Sequence, residues 1–337
     1  MTTYFIRRFL LVIPTFIGIT MLVFVVTRLV PGGPIERILT EIQIAGGEQT
    51  SISAADNVIA GGTLSEAQLQ KLREYYGFDK PVVISYLHWL ADVARLNLGT
   101  STRYSEPVWQ TIRERLPVSI FYGVMTLIIT YSVCIPLGIV KAIRHNTAID
   151  NITSIIVFTG YAIPNYIVGI ILLILFASQW EVFPLGGFVS EDFDDLGGMD
   201  KILDIARHAV LPLIAYVAGS FAVMTFMMKN ALMDNLAAEY VRTAMAKGVP
   251  FRQAVFKHAF RNSLIPIATH FGNNVSIILT GSSLIEKIFN INCFGLLAFE
   301  SLVERDYPVV MGILVISSFL FLLGNILSDI CVALVDP

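Results

Sequence analysis

Long apolar runs separated by shorter polar segments dominate this chain of 337 residues. A helix that crosses a bilayer needs about 20 largely apolar residues. Membrane helices tolerate proline where neighbouring groups satisfy the freed carbonyls, so we expect Pro14, Pro136, Pro164 and Pro212 to kink helices without breaking them. Six runs are long enough and predict six transmembrane helices, at residues 9–27, 118–139, 152–178, 209–228, 264–285 and 309–327.

The predicted fold is therefore an all-α membrane protein in three parts. Residues 1–30 contain the N-terminus and the first transmembrane helix. Residues 31–115 form an external loop region with short helices. Residues 116–337 form a five-helix transmembrane core, which includes a polar, basic loop at residues 239–266.

The external loop region contains two predicted helices. The helical spacing of apolar residues predicts one over residues 83–93, which lies on the membrane or packs on the bundle. A capping-box pattern predicts the other over residues 65–76, after a Gly- and Ser-rich excursion at residues 44–62. Two roles remain open for the whole region: a cap over the outer end of the bundle, or a contact surface for an external partner.

The charges of the polar segments predict the orientation. Basic residues precede the first span and follow the second and fourth spans, whereas the segment between the third and fourth spans is acidic. Because basic loops stay in the cytoplasm, we expect both termini to be cytoplasmic. The basic residues are Arg7, Arg8, Lys141, Arg144 and five more within residues 240–266, and the acidic residues are Glu181, Glu191, Asp192, Asp194, Asp195, Asp200 and Asp204.

Composition agrees with a membrane protein. Only 15% of the residues are charged, against about a quarter in soluble domains. The three cysteines are scattered and have neither a disulfide framework nor a metal-binding spacing.

The chain carries none of the motifs of nucleotide hydrolysis or proteolysis. It has no Gly-x-x-x-x-Gly-Lys-Ser/Thr loop, no His-Glu-x-x-His and no Gly-x-Ser-x-Gly. The five histidines are widely separated, and we find no carboxylate at helical spacing from them that would suggest a metal or acid–base site. We therefore expect no catalytic residue, no metal and no nucleic-acid partner.

The loop at residues 239–266 has properties of a docking site for another protein. The small residues Ala244 and Ala246 permit close approach, and Gly248 supplies a bend. Lys247 and Arg252 belong to its dense positive charge, which suits acidic groups on a partner or anionic lipid.

Several motifs along the chain carry a resemblance. The loop at residues 239–266 reads R-T-A-M-A-K-G at residues 242–248. Other motifs are I-R-R at 6–8, P-G-G-P at 31–34, Y-G-F-D-K-P at 76–81, L-N-L-G-T-S at 96–101 and R-D-Y-P at 305–308. Together they resemble the inner-membrane permeases of ATP-binding-cassette (ABC) importers, in particular the peptide/nickel-type family and its YejB-like oligopeptide branch. The general E-A-A-x-x-x-G motif of such permeases is matched only at Ala244 and Gly248, whereas the R-T-A-x-A-K-G of the peptide branch is matched throughout.

The resemblance implies a type I ABC importer permease in a bacterial inner membrane. Such a permease is not an enzyme and binds no cofactor, because partner ATPase subunits bind ATP and Mg²⁺. Its partners are a second permease in a pseudo-twofold heterodimer, two ATPase subunits or one fused ATPase, an external binding protein and membrane lipid. The implied ATPase-coupling residues here are Tyr240, Arg242, Thr243, Ala244, Ala246, Lys247, Gly248, Arg252, His258 and Arg261.

Polar residues inside the predicted spans are candidates for lining a passage. We consider Asn273, Asn274 and Ser276 for this role, with helix packing as the alternative. His270 needs a polar partner on another helix, or it lines the passage.

Three charged residues at the ends of spans have provisional roles. Glu286 and Lys287 are interpreted as a solvated pair at the outer end of the fifth span, with gating or binding-protein contact as the alternative. Lys229, at the inner end of the fourth span, is expected to extend toward the lipid headgroups.

The expected function is import of oligopeptides delivered by an external binding protein, and dipeptides or nickel complexes are the alternative cargoes. A self-contained secondary transporter or channel is a hypothesis of another class. It would need membrane-embedded ionisable residues or inverted repeats. The spans contain few of the former, and we find none of the latter.

Overall fold

The computed structural model describes residues 2–29, 70 and 79–335, without the side chains of residues 2–5, 273 and 276–280. In this part of the chain the regular structure is helical, and only an isolated bridge joins Thr100 to Pro107. Two π-helical segments occur: Leu173–Gln179 continues α5, and Ala254–Ala259 leads from α8 into α9. The helices are α1 (Thr2–Leu29), α2 (Val82–Ala94), α3 (Val108–Ile143), α4 (Ala148–Ala162), α5 (Asn165–Leu172), α6 (Gly198–Ala237), α7 (Glu239–Ala246), α8 (Phe251–Gln253), α9 (Phe260–Thr280), α10 (Ser283–Ile288), α11 (Phe294–Val303) and α12 (Tyr307–Val335).

Four of the described helices are long and apolar enough to cross a membrane: α1 from Ile6 onward, α3, α6 and α12. The bent pair of α4 and α5 adds a fifth crossing if it is one span. The helix α9 occupies the predicted fifth span, but it does not meet this criterion, because polar residues such as His270 and Asn274 interrupt its apolar sequence. The prediction of an all-α membrane fold is confirmed, at the coarser count of four or five spans.

The helical structure is interrupted at Pro164, where we predicted only a kink. Ile163 and Pro164 both have extended ψ angles, 124° and 136°, and α4 and α5 meet at a bend of 95°. The reason is steric, because the proline ring disfavours the helical conformation of the residue before it. Pro14, Pro136 and Pro212 lie inside continuous helices, as predicted.

The chain divides into two compact units, and the first comprises Met1–Arg113 and Ala298–Ser318. In this unit α2 packs on α1. The bounds of α2 are close to the predicted residues 83–93. The hydroxyl of Tyr86 lies 2.9 Å from that of Thr20 and donates to the carbonyl oxygen of Ile17 at 3.1 Å. Phe24 contacts Tyr86 and Trp89 through their rings. The predicted helix at residues 65–76 and the excursion at 44–62 lie outside the described residues.

One buried carboxylate organises a turn of this first unit. Asp306 precedes α12 and is fully buried. It accepts hydrogen bonds from the Ser101 hydroxyl at 2.5 Å and from the backbone N–H groups of Thr102 and Arg103 at 3.3 and 3.2 Å. The L-N-L-G-T-S and R-D-Y-P motifs, which are distant in sequence, therefore meet in one hydrogen-bonded turn.

The second unit comprises Glu114–Leu297 and Phe319–Pro337. Its helices approach closely where glycine leaves room. A Cβ at Gly138 of α3 would come within 2.6 Å of the Met228 Cβ on α6. A Cβ at Gly272 of α9 would overlap the carbonyl oxygen of Gly324 on α12. Beside that crossing, the Ser328 hydroxyl donates to the carbonyl oxygen of Thr269 at 2.7 Å.

Candidate coupling surface

The predicted docking loop forms a short helix with a sharp end. α7 ends at Ala246, and Gly248 follows with a φ of +92°, in the left-handed region that favours glycine. The N–H of Gly248 donates to the Met245 carbonyl at 2.9 Å, and that of Val249 donates to the Ala244 carbonyl at 3.2 Å. These two bonds form a Schellman motif, which satisfies carbonyls at the end of the helix. The bend predicted at Gly248 is confirmed.

One face of α7 is exposed and the other is fixed to the protein by an apolar side chain. Val241 has 0% exposure and was not among the predicted site residues. Its signal in the sequence is a single branched apolar residue within a polar stretch. Ala244 and His258 are half-buried. The other predicted residues of the loop are exposed: Tyr240, Arg242, Thr243, Ala246, Lys247, Gly248, Arg252 and Arg261.

Two of these predicted residues also position the loop. The Tyr240 hydroxyl donates to the Asn235 side-chain oxygen at 2.6 Å and accepts from the Asn262 amide at 3.0 Å. It therefore connects α7 with the end of α6 and the start of α9. Arg261 donates from Nε to the Val335 carbonyl oxygen at 3.0 Å, which joins the start of α9 to the end of α12.

The segment after α7 adds exposed aromatic residues that sequence reasoning missed. Phe251 and Phe256 are each about half exposed, at 51% and 50%. A surface pocket of about 330 Å³ is lined by Arg252, Gln253, Phe256 and Lys257. The loop thus combines positive charge, exposed aromatic rings and a concave surface. These are features of surfaces that bind other proteins.

Val241 belongs to an apolar cluster that extends from α7 into the spans. The cluster includes Ala142 of α3, Met228 and Leu232 of α6, and Ala254 of the π-helical segment. Interiors are closely packed and transmit displacement. The packing of Val241 therefore joins α7 to α3 and α6.

Lys229 is buried in an ion cluster, so the prediction that it extends toward lipid headgroups is wrong. Its Nζ lies 2.8 Å from both carboxylate oxygens of Asp150. Lys141 lies 3.0 Å from Asp150 Oδ1 and also donates to the hydroxyl of Ser154 at 2.7 Å. Side-chain exposures are 0% for Lys141, 2% for Asp150 and 10% for Lys229. A buried lysine needs an anion, and Asp150, in the first turn of α4, provides it.

The candidate passage residues are described only in part. Asn274 donates from its amide to the Tyr131 hydroxyl at 3.2 Å and lies 3.6 Å from the sulfur of Met224. It therefore connects α9 with α3 and α6. The side chains of Asn273 and Ser276 lie outside the described residues. His270 is exposed, and among the described residues it has no hydrogen-bond partner.

Glu286 is buried, so its interpretation as one of a solvated pair is wrong, although Lys287 is exposed. The Glu286 carboxylate accepts from the Tyr216 hydroxyl at 3.0 Å, from the Ser282 N–H at 3.0 Å and from the Leu296 N–H. It thereby holds together the turns around α10 and α11. The requirement of these N–H groups for an acceptor is the physical reason for its burial.

One histidine does have a carboxylate at helical spacing, contrary to our expectation. Asp204 stands four residues before His208, and their side chains lie 3.4 Å apart. Asp204 also accepts from the Ser190 N–H at 3.0 Å, so the pair fixes a loop to α6. Within the described ranges, no group of three His, Cys, Asp or Glu side chains is arranged to hold a metal ion.

The described residues define a membrane protein, because four helices, or five spans with the bent pair, are able to cross a bilayer, and the short α7 carries exposed side chains. Residues 134–337 match the family described as binding-protein-dependent transport system inner membrane component. The chain belongs to this family, whose members are permease components of ABC transporters and are not catalytic.

Full-length relatives agree with this assignment. The chain is 40% identical to the inner membrane ABC transporter permease protein YejB of Escherichia coli O157:H7, over 100% of this chain and 98% of the relative. It is 37% identical to the peptidoglycan transport system permease protein YejB of Agrobacterium fabrum, over 100% and 98%. It is 33% identical to the oligopeptide transport system permease protein AppB of Bacillus subtilis, over 100% and 99%. The resemblance to the YejB-like branch is confirmed.

Proposed function

We propose that this chain is one of two permease subunits of an ATP-driven oligopeptide importer. The observation that carries the proposal is α7, a short helix that exposes Arg242 and Ala246 and is followed by the exposed Lys247, while Val241 joins it to the apolar interior. In this proposal α7 is the coupling helix, and it fits into a cleft of an ATPase subunit. ATP and Mg²⁺ are bound by the ATPase, and this chain needs no cofactor.

The proposed assembly contains a second permease, two ATPase subunits or one fused ATPase, and an external binding protein. The family supports the need for such partners, since its members serve binding-protein-dependent systems. In this arrangement both termini and residues 239–266 are cytoplasmic. α9 would act as a sixth span inside the assembly, where its polar residues face protein instead of lipid. Residues 31–115 would be the external region, and Asn273, Asn274 and Ser276 would line the passage.

Peptides are the proposed cargo because two of the relatives carry names that point to peptide-containing cargo. The relative from Bacillus subtilis is named for oligopeptide transport, and this chain covers 99% of its length. Material derived from peptidoglycan is a second candidate, because the relative from Agrobacterium fabrum is named for peptidoglycan transport. Both cargoes contain peptide chains, and the external binding protein would select between them.

The docking role of α7 can be tested with Ala246→Arg. Ala246 is exposed and does not contribute to the apolar cluster, so the substitution should leave the membrane fold intact while it blocks close approach of an ATPase. We expect the variant to insert into the membrane but to lose co-purification of the ATPase subunits and ATP-driven uptake of radiolabelled tri-alanine.

Ala94→Arg is the matched control, because Ala94 is an exposed alanine at the end of α2 in the proposed external region. It should retain both activities. Undiminished ATPase binding by Ala246→Arg would contradict the docking role. Uptake of radiolabelled peptidoglycan fragments by the unaltered transporter, without uptake of tri-alanine, would favour the second cargo.

A further inference from the structure

The cluster of Lys141, Asp150 and Lys229 connects three helices through one carboxylate. Lys141 is in the last turn of α3, Asp150 is in the first turn of α4, and Lys229 is in α6. The two ammonium groups also lie 5.2 and 5.9 Å from the ring centre of Phe226. Charges this deeply buried attract each other strongly, since little water screens them.

We infer that Lys229 is a positioning residue for energy coupling, which holds α4 to α6 through Asp150 so that α4 follows the movement of α7. The inference rests on the proposed function, in which α7 receives the movement of an ATPase. Lys229 acts through its neighbours, because its ammonium group binds Asp150 of α4.

The first step of this transmission is apolar. Val241 of α7 shares its cluster with Ala142 and Met228. Ala142 directly follows Lys141, and Met228 directly precedes Lys229. A displacement of Val241 therefore moves the two backbone segments that carry the lysines.

The second step is the transfer from α6 to α4, two helices that pack against each other. The buried residues of α4 are Asp150 and Val157. Apart from them, the ring of Phe158 stacks on Phe226 at 4.5 Å. Ile152, Ile155 and Ile156 of the same helix are exposed, at 58%, 67% and 64%. The ion cluster is thus a principal attachment at the beginning of α4.

Farther along α4, the packing against its neighbours is incomplete. An apolar pocket of about 470 Å³ lies beside α4, α3 and α6, and its lining includes Val157, Gly160, Ile129 and Leu213. The ion cluster, through Lys229 and Asp150, holds the beginning of α4 to α6.

The substitution Lys229→Met separates this role from simple stabilisation. Removal of Asp150 would leave two buried cations without an anion. Removal of Lys229 leaves Lys141 and Asp150 as a balanced pair, and methionine fills a similar apolar volume. We therefore expect Lys229→Met to fold and assemble with an unchanged thermal midpoint.

The experiment uses the complete transporter in proteoliposomes and measures ATP hydrolysis with and without the external binding protein. We expect Lys229→Met to retain basal hydrolysis but to lose stimulation by the binding protein about fivefold or more, a typical magnitude for coupling between distant sites. Lys229→Arg keeps the charge and should retain stimulation. Lys201→Met, a substitution of the same type near the beginning of α6, is the control.

A second readout follows the helices themselves. Spin labels at Ile155→Cys on α4 and Val223→Cys on α6 should report one narrow distance distribution, which keeps its mean value when ATP and vanadate are added. Lys229→Met should broaden this distribution.

Each result decides the inference. Normal stimulation in Lys229→Met would overturn it, and so would a large fall in its thermal midpoint, which would assign Lys229 a purely structural role. If the unaltered chain co-purifies with no ATPase, it is the proposed function that fails. If the unaltered transporter is stimulated and Lys229→Met is equally so, only the inference fails.

Discussion

Buried carboxylates define several turns of this protein, and each of them accepts hydrogen bonds from backbone N–H groups. Asp306 receives such bonds from Thr102 and Arg103, and Glu286 receives them from Ser282 and Leu296. In both side chains, each of the two carboxylate oxygens accepts at least one hydrogen bond. An amide would present an N–H group to at least one of these donors, so these positions require a carboxylate and not only a polar side chain.

Asp306→Asn should therefore destabilise the first unit. One hydrogen bond to a buried charged group would be replaced by a contact between two donors, at a cost of about 1–3 kcal/mol. The measurement is the thermal midpoint of the detergent-solubilised protein. It is determined from the loss of the folded peak in size-exclusion chromatography after heating. Glu304→Gln is the control, because Glu304 is about one-third exposed and its ion pair with Arg103 at 2.9 Å contributes about 0–1 kcal/mol. Equal midpoints for both variants would contradict the role given to Asp306.

Among the helices, local patterns predicted some features well and others not at all. The amphipathic spacing at residues 83–93 predicted α2 almost to its ends, since that signal lies within the helix itself. The hydropathy of residues 152–178 continues across Pro164, so composition alone gave no sign of the 95° bend. Lys229 was misassigned for a different reason, because its partner Asp150 is distant in sequence and only the fold brings the two together.

The crossing of α9 and α12 depends on the absence of a side chain at Gly272. Gly272→Ala would place its methyl group against the backbone of Gly324 and force the helices apart, and overpacking of this kind costs about 1–3 kcal/mol. We expect a lower thermal midpoint for this variant. The matched control is Gly160→Ala in α4, where a Cβ meets no atom within 4 Å. That change should be neutral or stabilising, since alanine favours helices over glycine by about 1 kcal/mol. If Gly272→Ala leaves the midpoint unchanged, the close crossing is not required.

For the molecule as a whole, class and family could be predicted from the sequence, because long apolar runs and the R-T-A-M-A-K-G motif are local features. Of the residues in this motif, Arg242, Thr243, Ala246, Lys247 and Gly248 are exposed, whereas Ala244 and Met245 are half-buried. Val241, Phe251 and Phe256 were missed, since an apolar residue in a polar loop has no single meaning until its burial is known. The ion cluster was missed as a unit, although the sequence showed each of its charges.

The orientation of the whole chain leads to a further prediction. If residues 239–266 are cytoplasmic, a cysteine at Lys247→Cys should react with a membrane-impermeant maleimide in inside-out vesicles but not in intact spheroplasts. Glu191→Cys, in the acidic segment before α6, should show the opposite pattern. Cys134 and Cys293 are buried and Cys331 is half-buried, so the unaltered chain measures the background. Labelling of Lys247→Cys from the outside would contradict the proposed topology.

The attachment of α7 through Val241 has an evolutionary consequence. In the proposed assembly the exposed side chains of α7, such as Arg242 and Thr243, would contact the ATPase, whereas Val241 faces the apolar interior. Substitutions at the exposed residues of α7 can therefore change which ATPase binds, while the packing of Val241 stays unchanged. A transporter of this kind can evolve to use a different ATPase subunit without changes to its membrane-spanning helices.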